Sequence, residues 1–437
     1  MKVAKLPAVL LLALTMPVSS AAVADSTIVS ERSHKAQSPE IAVGPDQAIN
    51  IVWLDEVGGS VLPSTEHEHA NHGDGMSHLA ATNLYFARST DGGRTFTPPT
   101  QVNAANGDVW GFPVSKPRIV VGSNGTIHVF YPGNAVSPSN GKPVAIALYT
   151  RSTDAGRTFA APQRLNTMVA GDNSNVISGG LANGHVFGTM AVDSKQNVFA
   201  MWLDTRDMYK EGTSAKVYMA ISRDDGRFFS ADLETFPADV CPCCQLTAFV
   251  DSQDRLYIGS RQVDQGFRDS TIAMSTDGGR TFMPRQRIVG NRWVINGCPL
   301  KPTVVVANGK NVYATYFTGG ESPQGVYFVR SADGGKTYSS PMLVHPGAVV
   351  SDAPVMTLAG GNLHLVWQAK LAGSARRLYT RASSNGGRSF GPVQELPAQQ
   401  GAVQLPVVAA RSDGQVQLAW QQDNEIRTMT WASSRVR

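Results

Sequence analysis

The sequence predicts an all-β chain, a β-propeller of four-stranded antiparallel blades. Seven blades use every repeat; six is the alternative if one unit is incorporated differently. Three observations carry this prediction. A short box, Ser-x-Asp-x-Gly-x-Thr-Phe, recurs six times. Each copy follows one short apolar run and precedes another extended stretch, a hairpin pattern repeated along the chain. The composition, 42 Gly and 25 Pro in 437 residues with 16% charged, suits a molecule made of strands and turns.

The boxes begin at Ser89 (STDGGRTF), Ser152 (STDAGRTF), Ser222 (SRDDGRFF), Ser275 (STDGGRTF), Ser331 (SADGGKTY) and Ser383 (SSNGGRSF), spaced 63, 70, 53, 56 and 52 residues apart. Ser, Thr and Asp side chains bond to their own backbone in a turn, and Gly takes the positive φ that such a turn needs. The closing aromatic re-enters a strand with its ring available for packing. Units of this length with about four strands favour a propeller over a pair of β-sandwiches or a solenoid.

Read backward from each box, the same pieces return. A first strand, often after Pro, is followed by a Gly/Asn/Asp turn, a more apolar second strand, a variable loop and the strand that leads into the box. The first unit has Pro39–Val43, Ile49–Trp53 and Leu84–Phe86. The second has Pro117–Val121, Ile127–Phe130 and Ile146–Tyr149. The third has Gly188–Val192, Val198–Trp202 and Val217–Met219, and the fourth Leu246–Val250, Leu256–Ile258 and Thr271–Met274. The fifth has Pro302–Val306, Val312–Tyr316 and Val326–Phe328, and the sixth Pro354–Thr357, Leu363–Trp367 and Leu378–Thr380. A seventh unit, Pro406–Ala409, Val416–Trp420 and Ile426–Thr430, has no box. Its outer strand is expected from Thr27–Ser30, an N-to-C closure that leaves the ring no exposed edge.

The net charge of +4 is mild and no basic run is interleaved with aromatics, so nucleic acid is not an expected partner. The start reads as an export signal over residues 1–24. Lys2 and Lys5 give the positive region, Val9 to Leu14 the apolar core, and Ala22-Val23-Ala24 a small-x-small cleavage site. The remaining chain, 25–437, reads as one propeller domain with a mature start near Asp25. The apolar core is too short to span a membrane. A periplasmic or secreted protein is expected, and its four cysteines make disulfides the default in an oxidising compartment.

The boxes resemble the Asp-box, or bacterial neuraminidase, repeats of the sialidase superfamily, over nearly the whole mature chain. The resemblance is specific for fold and unspecific for function, because sites are grafted onto shared scaffolds. It implies that the boxes lie on the face away from the site. It also implies the parts a sialidase would bring: an Arg-Ile-Pro first strand, three arginines that clamp a sugar carboxylate bidentately, an acid Asp and a Tyr-Glu nucleophile pair. The chain departs from this pattern. Pro39-Glu40-Ile41 has no Arg, and Arg118 is followed by Ile119-Val120. Arg206 and Arg261 end second strands, and Arg261 resembles a clamp position. Arg118, Arg206 and Arg261 are therefore the candidate catalytic residues of a partial clamp, without a Tyr-Glu pair. Arginines in such places more often form inter-blade salt bridges. A retaining glycosidase needs two carboxyl groups roughly 5 Å apart, and Asp55, Asp204 and Asp264 are unassigned candidates. The chain reads as an atypical member that lacks the full sialidase site.

Two stretches break the repeat, and both carry metal-ligand chemistry. One is His67-Glu68-His69-Ala70-Asn71-His72-Gly73-Asp74-Gly75-Met76-Ser77-His78, which interrupts unit one and holds four of the nine histidines. Imidazole suits Zn, Cu and Ni, and thioether selects Cu(I). Here His67, His69, His72, Met76 and His78 are the candidate ligands; the plainer reading is a polar loop. The other is Cys241-Pro242-Cys243-Cys244, joined by Cys298, which together hold all four cysteines. Matching the second strands of units four and five sets position 298 against 242, so the sulfurs are expected at equivalent ends of neighbouring blades. Disulfides are one reading, between Cys298 and the cluster or between Cys243 and Cys244. A soft-metal thiolate site is the other.

Loops between second and third strands share a face with the starts of inner strands. The His/Met loop, the cysteines, Arg118, Arg206, Arg261, Glu40, Lys116, Lys301 and Asp352 are thus expected on one face. These readings converge on an exported propeller binding a soft metal at its channel face, copper first and zinc next. The alternatives are an exo-sialidase-type glycoside hydrolase and a protein-interaction scaffold with structural disulfides. The expected partners are a metal ion or small ligand, a glycan or a periplasmic protein, and the chain is read as a monomer.

Overall fold

A computed structural model describes residues 26–30, 35–60, 80–136, 143–167, 184–206, 214–237, 239–295, 297, 299–397 and 399–431. The expected export signal lies outside them. Their strands form seven four-stranded antiparallel sheets, each built from strands in sequence order. Each inner strand neighbours the inner strands of the blades on either side, all the way round the ring. The seven-blade reading holds, and no helix occurs among the described residues.

Second strands form the densest part of each blade. Val198–Asp204 and Leu256–Arg261 are buried throughout. A strand covered on both faces by neighbouring blades reads as a continuous apolar run, as Val198–Leu203 and Leu256–Ile258 do before their polar ends. Trp53, Trp202, Trp367 and Trp420 occupy the same place in four second strands, each at most 1% exposed. A buried ring of this kind covers on the order of 200 Å², about 5 kcal/mol of apolar transfer at 25 cal/mol per Å².

The boxes hold the blades together at the far face. In the first, the Gly93 amide donates to Ser89 Oγ at 2.9 Å, and the Arg94 and Thr95 amides donate to Asp91 Oδ1 at 3.0 Å. Thr95 Oγ1 donates to Asp91 Oδ2 at 2.6 Å. The turn then grips the preceding blade. Gly156 has φ +81°, and a Cβ there would stand 2.0 Å from Phe86 of blade one. Phe159 of the same box packs edge-on against Phe86, with centroids 5.4 Å apart. Gly226 and Phe229 treat Tyr149 the same way, and Gly387 and Phe390 treat Phe328.

Blade seven is closed as expected. Thr27–Ile28 pairs antiparallel with Glu425–Trp431, Thr27 opposite Thr428 and Ile28 opposite Arg427. The Val29 amide donates to the Ile426 carbonyl at 2.8 Å, and the Ile426 amide to Ser30 Oγ at 2.9 Å.

At the other face four inner strands shift register at their start, between Gln37 and Glu40, Val186 and Thr189, Asp352 and Val355, and Gln404 and Val407. Each bulge holds a non-glycine residue in the left-handed region: Ser38, Phe187, Ala353 and Leu405. Such positions are strained and re-aim the chain. Here they turn the connecting segments over the face that carries the cysteines.

Candidate metal centre

Cys241-Pro242-Cys243-Cys244 runs just ahead of the inner strand Thr247–Val250 of blade four. The segment is stitched to both neighbouring blades. The Val240 amide donates to the Ala215 carbonyl at 2.9 Å and the Leu246 amide to the Phe187 carbonyl at 3.0 Å, both in blade three. The Cys241 amide donates to the Arg261 carbonyl of blade four at 2.8 Å. Proline at 242 has no amide to satisfy and fixes φ. The three sulfurs are thereby turned toward one another.

Cys241 Sγ lies 3.7 Å from Cys243 Sγ and 3.5 Å from Cys244 Sγ. All three sulfurs fall within 4.8 Å of one another. The residues are 1%, 0% and 2% exposed. They sit in an apolar cluster with Phe187, Leu203, Val240 and Leu246, between blades three and four, rather than on an open channel wall. All three are free thiols, so neither a Cys243–Cys244 bond nor any other disulfide forms among the described residues. Cys298 lies outside the described residues, as do His67, His69, His72, Met76 and His78.

The surroundings set the thiols apart. Burial alone would raise Cys244, but contacts with Cys241 and Cys243, the Arg261 charge and the Lys301 backbone amide bring it well below the ordinary thiol value. Contact with Cys243 lowers Cys241, yet contact with Cys244, burial and the Cys244 charge outweigh it and push Cys241 up. Arg268 acts on Cys241 in the same sense as Arg261 on Cys244. A soft ion is held by thiolates, and Cys244 is the thiol that its surroundings shift toward that form.

The candidate clamp arginines share this face, but each is engaged from within. Arg118 Nη1 donates to Glu40 at 2.6 Å, its Nη2 to the Leu246 carbonyl at 3.1 Å and its Nε to the Gly188 carbonyl at 3.3 Å. Arg206 Nε and Nη2 fork onto Asp204 at 2.9 and 2.7 Å, and Nη2 also meets Asp232. Its guanidinium stacks 3.9 Å over Tyr218. Arg261 is 2% exposed, donating to the carbonyls of Arg268 at 2.5 Å and Phe317 at 2.7 Å.

Of the candidate acids, Asp204 also meets His185 Nδ1 at 2.7 Å. Burial opposes its charge, yet His185 and Arg206 hold it below the usual carboxylate range. Asp55 is buried in blade one, and Asp264 pairs with Arg287 at 2.9 Å. Lys301 pairs with Asp352. Lys116 is lowered to about 8, first by burial and then by Arg118, against the pull of Glu40. Sequence reasoning found the cysteines but missed Arg268 and the Lys301 amide beside them. Nothing local in the sequence marks either.

No protein-family profile matches the chain, and no curated protein matches its sequence. Solved structures do resemble it. A polysaccharide lyase, an ulvan lyase, superposes with a TM-score of 0.53 at 13% identity, covering 94% of this chain and 97% of that one. The likeness is one of fold. A protein of unknown function from Dyadobacter fermentans gives 0.49 at 16% identity, over 82% and 96% of the two chains. The intramolecular trans-sialidase from Ruminococcus gnavus gives 0.46 at 14%, over 93% and 97%. Of these only the lyase exceeds a TM-score of 0.5, and it speaks to fold alone, since function lives in sites grafted on a fold.

Proposed function

We propose that the chain is an exported sialidase-like propeller that binds a soft metal ion, copper first, through Cys241, Cys243 and Cys244. The observation that carries this reading is the convergence of three buried free thiols within 4.8 Å. A buried cysteine is ordinarily a small apolar filler. Packing alone gives no reason to gather three sulfurs, one of them next to an arginine and a backbone amide. On sequence grounds the reading adds Cys298 as a further donor and His67, His69, His72, Met76 and His78 as a second donor set. Sugar hydrolysis has less support, because Arg118, Arg206 and Arg261 all spend their donors on internal acceptors.

The test is an anaerobic titration of the reduced protein with Cu(I) against a chromophoric chelator. One tightly held ion per chain is expected, with thiolate-to-metal absorption in the near ultraviolet. Cys241→Ser, Cys243→Ser and Cys244→Ser should each weaken binding by at least about a hundredfold, since loss of even a supporting group at a metal site costs 10–100-fold. Reduced protein that retains neither Cu(I) nor Zn(II) would sink the reading. Release of sialic acid from a fluorogenic glycoside, abolished by Arg261→Ala, would establish the enzyme instead.

A further inference from the structure

We infer that the seam between blades two and three is an acid-sensitive clasp, in which protonation of buried His128 loosens the grip of the third box on blade two. The clasp uses none of the cysteines, so it stands or falls apart from the soft-metal reading.

The third box departs from the others at its fourth position. Gly92, Gly278, Gly334 and Gly386 stand there in four boxes and Ala155 in the second, but the third has Asp225. Asp225 holds φ +61°, a conformation uncommon for a residue with a side chain. From there it reaches back into blade two. Its Oδ2 accepts from Thr126 Oγ1 at 2.9 Å and from Arg151 Nη1 at 3.3 Å, and its carbonyl accepts from Arg151 Nη1 at 2.7 Å. Its Oδ1 has no hydrogen-bond partner and lies 3.5 Å from His128 Nε2, which has none either.

His128 sits second in the strand Ile127–Val136 and is fully buried. Its Nδ1 lies 2.7 Å from the Tyr149 hydroxyl. Burial keeps Tyr149 a phenol; Arg151 opposes this, and Asp225 and Asp224 reinforce it. A phenol that donates to Nδ1 leaves the one ring proton on Nε2, facing Asp225 Oδ1 across a gap too long for a hydrogen bond. A second proton upsets this arrangement. Both ring nitrogens of an imidazolium are donors, so Nδ1 no longer accepts and the Tyr149 O–H must turn away. Gly226 already closes that side, since a Cβ there would stand 1.7 Å from the hydroxyl. The new charge also enters a place without water. Burial outweighs the attraction of Asp225, and Arg151 adds repulsion, so His128 is lowered to about 4. An unfolded histidine takes its proton near 6.5. With the folded value depressed, the neutral clasp contributes stability that is fully present above about 6.5 and is lost as pH falls from there to about 4. Local opening frees the ring to protonate, so acid should open this seam ahead of the others.

The repeat supplies the control. Gln417 of blade seven holds the place of His128 and faces the first box, where a Cβ at Gly93 would stand 3.2 Å from its Nε2. His128→Gln therefore installs a residue that another seam accepts and that does not titrate. Hydrogen exchange of the full-length protein is followed between about pH 7 and 4 at the Gly226 and Phe228 amides of the third box. The Gly279 and Thr281 amides of the fourth, which make the same bonds, are the reference. In the wild type, opening of the third box relative to the fourth should rise at least about tenfold by pH 5. In His128→Gln the ratio should stay flat, and an equal rise there would place the titration elsewhere and overturn the inference. A wild-type ratio that does not change would overturn it too. The NMR titration of His128 should have its midpoint well below 6.5, a measurement that needs no variant to fold; a midpoint at or above 6.5 sinks the clasp. Asp225→Gly, the residue four other boxes carry, removes the attraction and should move that midpoint lower still, whereas a higher one would contradict the geometry.

Discussion

A single aspartate in each of five boxes accepts several hydrogen bonds while standing nearly in water. In Asp91, Asp154, Asp277 and Asp333, bonds from the Thr four residues on, hydroxyl and amide, come with the Ser two residues before to hold the carboxyl well below its usual range. A depressed folded value contributes stability that is fully present above the unfolded value of about 4 and is lost as pH falls through the folded one. The sixth box tests this, because Asn385 already makes the same turn. Its Oδ1 accepts from the Ser389 amide at 3.0 Å and its Nδ2 donates to Ser389 Oγ at 2.7 Å. Asp277→Asn should therefore fold but melt a few degrees below wild type at pH 7, and the gap should narrow as pH is lowered to 3. A gap that is the same at both values would remove the charge from the explanation. The third box departs differently: Phe228 replaces the Thr, keeps its amide bond to Asp224 at 3.0 Å and is left 77% exposed.

Between blades, the glycine at the fifth position of a box is a contact as well as a turn. Gly226 has φ +76°, and a Cβ there would stand 1.7 Å from the Tyr149 hydroxyl. Gly334 has φ +83° with nothing within 4 Å. Gly334→Ala should thus cost about 1 kcal/mol, the backbone penalty alone. Gly226→Ala adds overpacking and should cost about 2–4 kcal/mol. Urea unfolding of the pair checks this, and equal costs would mean that the seam gives way freely. The boxes were legible in the sequence because their chemistry is local: Ser, Asp, Gly and Thr act within eight residues. Strand ends were less so. The second strand of blade one was read as Ile49–Trp53 but runs Ile49–Ser60, because its polar end is held by pairing with Ala80–Ser89 rather than by an apolar pattern. Outer strands such as Thr100–Gln101 and Gln163–Arg164 are two residues long and carry no periodicity to read. The cysteine run and its face followed from topology. The partners of the arginines did not: Arg118 meets Glu40, Gly188 and Leu246 from three other blades, a choice only the closed ring makes.

For the molecule as a whole, the decisive contact joins its first and last described strands. Removing residues 26–30 would strip Glu425–Trp431 of its neighbour and expose an edge strand, an invitation to pair with other chains. The truncated protein should melt lower than wild type and show concentration-dependent light scattering. A truncation that melts with the full chain and stays clear would show that the closure is ornamental. The same pairing also sets a clock. Thr27 is among the earliest of the described residues to be made and Thr428 among the last, so the ring stays open until the last of these strands is made. Six blades can stack in order behind the growing end, each box gripping the blade before it, while the first residues wait unpaired. Contacts between such distant residues form slowly and late. The final blade is thus a latch that shuts only once Glu425–Trp431 is made, and until then the thiols between blades three and four belong to an arc rather than a ring.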